Sequence, residues 1–167
     1  MLDVTNKTLT NSFKGDIDEA LNNGKVIVSI SINGNEYPSK TYSRSPWILF
    51  MDGKEIKIYN NRDKKVCKKD LILDIAEITL GVAKGFNNVP GIFMTQSLCF
   101  EMSIRIENKD YCFICEDLKQ IPEILKLLQK NNILYRDPYN LEQLYGENDS
   151  REVVDILYSK IKEIHDK

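Results

Sequence analysis

The stretch FEMSIRIENKDYCFIC, residues 100–115, alternates apolar and polar side chains, breaks at a polar cluster, and alternates again. Phe100, Met102, Ile104 and Ile106 stand on one side of the first segment, and Glu101, Ser103 and Arg105 on the other. That period of two marks a strand with one face on a core. ENKD (107–110) is then the turn of a hairpin and YCFIC the returning strand. The next segment, EDLKQIPEILKLLQKNN (116–132), changes period: Ile121, Ile124, Leu125 and Leu128 fall at helical spacing. Pro122 lacks an amide hydrogen and is comfortable only in a first turn. The spacing therefore predicts a helix that begins near Ile121 and stops at Asn131-Asn132.

Upstream, LILDIAEITL (71–80) is apolar and rich in β-branched residues, and it is short enough for a strand. WILFM (47–51), the turn Asp52-Gly53 and KEIKIYN (54–60) read as a hairpin with Ile56 and Ile58 on one face. KVIVSISI (25–32) places Val26, Val28, Ile30 and Ile32 inward and Lys25, Ser29 and Ser31 outward, as in a half-buried strand. Asn33-Gly34 tolerates the positive φ angles of a tight hairpin turn into NEYPSKTY (35–42), where Pro38 marks an edge or a bulge. NNRDKKVCKK (60–69) reads as a polar connection, so the first four strands are expected to meander. A short helix is expected over about residues 12–22, where Phe13, Ile17, Ala20 and Leu21 recur at helical spacing before Gly24. Two helices are expected at the end of the chain, one from Asp137-Pro138 to Gly146 and one after Asp149-Ser150. The last carries the stripe Val153, Leu157, Ile161 and Ile164.

LILDIAEITL, FEMSIRI, ENKD, YCFICED and the IPEILKLL helix together resemble a pleckstrin-homology-like (PH-like) domain of the GRAM and bacterial PH-like kind. The resemblance covers residues 24–131 and rests on the order of elements. It implies an α+β fold: a seven-stranded antiparallel sandwich, or partly open barrel, closed by a helix. Residues 1–23 then form an N-terminal helical extension, and 132–167 a C-terminal helical extension packed on the same domain. Lipid-binding members of that family carry several cations around the first hairpin. INGNEY has none and one acid, so phosphoinositide recognition does not carry over. The single tryptophan, Trp47, also stands in a strand segment and not in the closing helix.

The totals narrow the function classes. With 23 Lys and Arg against 25 Asp and Glu in 167 residues, the charge is −2 and the pI near 5.5, which argues against general attraction to nucleic acid. MLDVTNKTLTNSF (1–13) has neither the basic start nor the apolar run of a signal peptide, and no later stretch is long and apolar enough for a membrane span, so the expected address is the cytoplasm, for a protein of a bacterium or one of its phages. Cys112 and Cys115 form a CxxC, but on a strand they point to opposite faces, and Cys67 and Cys99 add no second close pair. Reduced thiols without a metal are expected. The sole histidine, His165, stands third from the end, and no nucleophile, phosphate-loop or zinc-protease pattern occurs. No catalytic residue, cofactor or small-molecule substrate is expected.

Two segments carry the binding candidates. GVAKGFNNVPGIFMTQSL (81–98) reads as a long irregular loop, and Phe86, Val89, Ile92, Phe93 and Met94 would serve a protein partner or self-association. RDKKVCKK (62–69) sets Arg62, Lys64, Lys65, Lys68 and Lys69 close together, a candidate anion-binding run for an anionic membrane. The leading expectation is a non-enzymatic module acting through protein contacts. A membrane-associated adaptor, and a small inhibitor or immunity-type protein that blocks another macromolecule, are the alternatives.

Overall fold

The computed structural model describes residues 25–37, 47–60, 66–71, 75–87 and 95–165. The helix expected over 12–22 and the strand positions 38–42 lie outside them. In chain order the strands are β1 (Lys25–Ile27), β2 (Ser29–Ile32), β3 (Asn35–Tyr37), β4 (Trp47–Met51), β5 (Glu55–Asn60), β6 (Val66–Leu71), β7 (Ile75–Asn87), β8 (Thr95–Ile106) and β9 (Lys109–Cys115). A 3-10 turn, Leu118–Gln120, leads into α1 (Ile121–Lys130). The two-residue β10 (Tyr135–Arg136), α2 (Leu141–Glu147) and α3 (Ser150–His165) follow.

The fold is α+β, with two mixed five-stranded sheets ordered β1-β9-β8-β7-β10 and β3-β2-β4-β5-β6. The expected seven-stranded antiparallel arrangement is corrected here: β1·β9, β2·β4 and β10·β7 are parallel pairs. Alternation states which side chains share a face, but neither neighbour nor direction. The predicted strand 25–32 is in fact divided at Val28 between the two sheets. The Val28 amide still donates to the Ile114 carbonyl at 2.9 Å, extending the β1·β9 ladder, and the next residue, Ser29, already pairs with Ile48 of β4. The first four strands therefore do not meander, because β2 lies between β3 and β4.

Ile30, Leu49, Met51, Ile56 and Ile58 from one sheet meet Ile78, Leu80, Phe100, Met102, Ile104 and Phe113 from the other in a single core, giving a sandwich without barrel closure. Strand 25–32 is more than half-buried: Ser29 and Ser31 are only 6% and 5% exposed. Ile27, Ile48 and Ile114 are buried beside them in register, outside the main core. Alternation separates two faces without saying whether the second is covered.

Turn chemistry follows the sequence closely. Asn33 and Gly34 take φ of 49° and 89°, as a two-residue hairpin between Ile32 and Asn35 requires. Glu107 does the same, at φ 55°, between β8 and β9. Asp52 Oδ1 accepts the amides of Lys54 and Glu55 at 2.7 and 2.8 Å, and this turn presses on the helix end. A Cβ on Gly53 would lie 2.9 Å from Asn131 Oδ1, so only glycine fits without a shift.

NNRDKKVCKK departs from expectation. Val66 to Leu71 form β6, an edge strand that needs only one row of hydrogen bonds, so a sequence with the consecutive charged residues Lys68, Lys69 and Asp70 can occupy it. The strand expected over 71–80 is present from Ile75 onward as β7.

α1 begins and ends where predicted. Ile121, Ile124, Leu125, Leu127 and Leu128 enter the core that both sheets share. Asn132 turns left-handed at φ 53°, and the Ile133 amide reaches back to the Leu128 carbonyl at 2.9 Å, closing the helix. β10 then joins the β7 edge opposite Ile78 and Thr79. There Glu77 binds both Arg136 and, at 3.1 Å, Arg105, whose guanidinium grips Asp110 at 2.7 and 3.1 Å. The hydrogen bond from Arg105 holds the Asp110 carboxyl below the ordinary aspartate range. α2 starts at Leu141, later than Asp137-Pro138, although Asp137 accepts the Glu142 amide at 2.9 Å. Asp149 Oδ1 caps α3 by accepting the Arg151 and Glu152 amides, and Glu152 returns to the Asp149 amide. Val153 and Leu157 of its stripe reach the core.

Ile124→Ala should lower unfolding stability by about 2–5 kcal/mol, because a fully buried aliphatic side chain is deleted from the helix that fills the core. Lys126→Ala, on the exposed side of the same helix, should stay within about 0.5 kcal/mol. Urea denaturation of the two variants checks both values.

Candidate functional site

β7 and β8 outrun the rest of their sheet. β9 accompanies β8 only from Phe100 to Ile106, and β10 meets β7 only at Ile78 and Thr79. Among the described residues, Ala83–Asn87 and Thr95–Cys99 thus pair only with each other, five pairs spanning about 17 Å at ~3.4 Å per residue. A lone two-stranded ribbon is marginal in water. This one is anchored at its base by Val82, Leu98 and Phe100, all buried.

The irregular loop expected over 81–98 is corrected to the two arms of this hairpin, whose register runs from Ile75 opposite Ile106 to Asn87 opposite Thr95. The signal for it stood in the sequence. Leu98, Phe100, Met102, Ile104 and Ile106 are one buried alternating series, and Ile78, Leu80 and Val82 are its partner series. Gly81 and Gly85 interrupted the pattern and drew the reading toward a loop. Phe86 falls in β7 opposite Gln96. Val89, Ile92, Phe93 and Met94 belong to residues 88–94, outside the described ones.

Of the basic run, Arg62, Lys64 and Lys65 also lie outside the described residues, while Lys68 and Lys69 occupy β6 opposite Ile58 and Lys57. Lysine on an edge strand discourages pairing with foreign strands, a structural use that competes with anion binding. Lys57 is already engaged: its ammonium lies 2.9 Å from Glu55 and 4.3 Å from the centre of the Phe50 ring.

Where the sheets splay, Ile56, Ile58, Ile104, Ile106, Tyr111, Phe113 and Lys57 line an apolar cleft of about 230 Å³, open solvent included. That is below the roughly 300–1,000 Å³ of sites that enclose drug-sized ligands.

The cysteines divide as strand alternation requires. Cys112 is half-buried and accepts a weak bond from Ser103 Oγ at 3.5 Å, whereas Cys115 is fully buried and its thiol donates to the Tyr37 carbonyl at 3.4 Å. Burial pushes the Cys115 thiol up to about 11, although the amides of Asp117 and Ile30 and the Gln120 carboxamide pull the other way. Gln120 itself is 0% exposed, and neither Nε2 nor Oε1 makes a well-formed hydrogen bond. The carboxamide faces the Cys115 sulfur. Among the described residues, no group of three or more His, Cys, Asp or Glu side chains gathers as for a metal ion.

No protein-family model, curated protein or solved structure matches the chain.

At pH 8 a disulfide thiol reagent should label Cys112 in the native protein and leave Cys115 untouched until the chain unfolds. The folded Cys115 pKa of about 11 exceeds the ordinary 9.0, so protonation favours the native state. Its contribution, roughly 3 kcal/mol at most, is complete below pH 9 and is lost as pH rises toward 11. Urea midpoints across that window should fall more steeply for the wild type than for Cys115→Ala.

Proposed function

We propose that this chain is a non-enzymatic binding module of the bacterial or phage cytoplasm, built on a PH-like sandwich and engaging another protein through the β7–β8 ribbon. The overrun of that ribbon carries the reading. Five strand pairs run beyond β9 and β10, from Ala83 opposite Cys99 to Asn87 opposite Thr95, and the arm of β7 carries Phe86 toward the stretch of sequence that holds Val89, Ile92, Phe93 and Met94. Aromatic residues and methionine are enriched where protein partners meet. The PH-like frame draws support from the β7-β8-β9 meander, which runs through a short turn into a helix that fills the core. The parallel β2·β4 pairing is a departure from it.

Affinity capture from native lysate, comparing the intact protein with a Phe86→Ser, Phe93→Ser, Met94→Ser variant of matched thermal unfolding, tests the proposal. Loss of a specific partner is expected. An unchanged catch from the folded variant would sink the role of the ribbon.

The lipid reading has its own observation, the basic run, of which Lys68 and Lys69 stand in succession on β6. It predicts sedimentation with phosphatidylserine vesicles at low salt, weakening at moderate salt. Absence of sedimentation at both salts removes this alternative.

A further inference from the structure

Gln120 stands at the end of the 3-10 turn, where the chain passes from β9 into α1. Its side chain is 0% exposed, and neither end of its carboxamide makes a well-formed hydrogen bond within the protein, the Cys115 sulfur being a polar group it faces. Native proteins satisfy nearly all buried polar groups, with protein or with ordered water. The sulfur that this carboxamide faces gathers polar groups from several segments. The Cys115 sulfur lies beside it, the amides of Ile30 and Asp117 point at that sulfur, and the Tyr37 carbonyl receives the thiol proton at 3.4 Å.

The guest that fits must both donate and accept, must be small, and must carry no charge. A cation would need a thiolate or a converging carboxylate, and burial keeps this thiol protonated. An anion would face Asp117 on the neighbouring turn, whose charge already acts on Cys115. Water meets all three conditions, and buried waters typically make about three hydrogen bonds of this mixed kind.

We propose that the junction of β2, β3, β9 and α1 is an internal hydration site, in which one ordered water is held by the Gln120 carboxamide beside Cys115. The water ties the start of α1 to the point where the two sheets part. β3, three residues long and at a sheet edge, is the segment whose fraying admits exchange with solvent.

The test uses the full-length isotope-labelled protein and water-selected NOE spectra filtered for carbon-bound protons. A cross-peak between water and the Gln120 Hγ protons, with the sign of a long-lived contact, is expected. Gln120→Met, of similar length but unable to hydrogen-bond, should lower the urea midpoint because the water loses its anchor. The proposal is overturned if the wild type shows no such cross-peak. It is equally overturned if Gln120→Met raises the midpoint, as relief of an unsatisfied amide would.

Discussion

One strand serves two sheets, and the rest of the molecule is arranged around that fact. Residues 25–27 add to β9, the Val28 amide completes the ladder at Ile114, and residues 29–32 pair with β4 and β3. A strand that changes sheets must enter both beside neighbours already in place, and here it runs parallel to β9 in one and to β4 in the other. The change of sheet also brings Ile30, Tyr37, Cys115 and Gln120 to one point. The least well satisfied polar side chain among the described residues lies there, at the seam and not at the surface.

The last third of the chain uses that frame from two directions. α1 drives its apolar face into the core between the sheets, and the chain then returns to the outer edge of β7 as β10. Hydrogen bonds from Gln129 and Tyr135 to Glu142, at 2.8 and 2.6 Å, link α1, β10 and α2. Glu77 meanwhile joins Arg136 to Arg105. Surface ion pairs of this kind add little energy singly. Their effect is to fix where the segment lies, while Leu141, Leu144, Val153 and Leu157 supply the burial.

The sandwich is filled in this way, and among the described residues the β7–β8 ribbon runs past its neighbours β9 and β10. The narrow cleft between the sheets is walled by residues that are themselves nearly buried, and its rim lysine is occupied by Glu55 and Phe50. Among the described residues, the ribbon is the part of its sheet that runs beyond the neighbouring strands β9 and β10. That places the functional reading on an appendage, where binding residues commonly sit when a scaffold holds them.

The sequence by itself determined the local elements. Periods of two and 3.6 located the strands around Phe100–Ile106 and Tyr111–Cys115 and the helix from Ile121, and Asn33-Gly34, Asp52-Gly53 and Asn131-Asn132 marked the breaks, because side-chain spacing and backbone φ are properties of short segments. It also held the full β7–β8 hairpin in its alternation, although two glycines obscured it. What only the tertiary structure decided was pairing: the division of 25–32 at Val28, the parallel neighbours, and the recruitment of Val66–Leu71, with its central charged residues, and of Tyr135–Arg136 as edge strands. An edge strand needs backbone hydrogen bonds and no apolar side chains, so it leaves no periodic signal. Direction and partner are set by long-range contacts between segments, which no window along the chain contains.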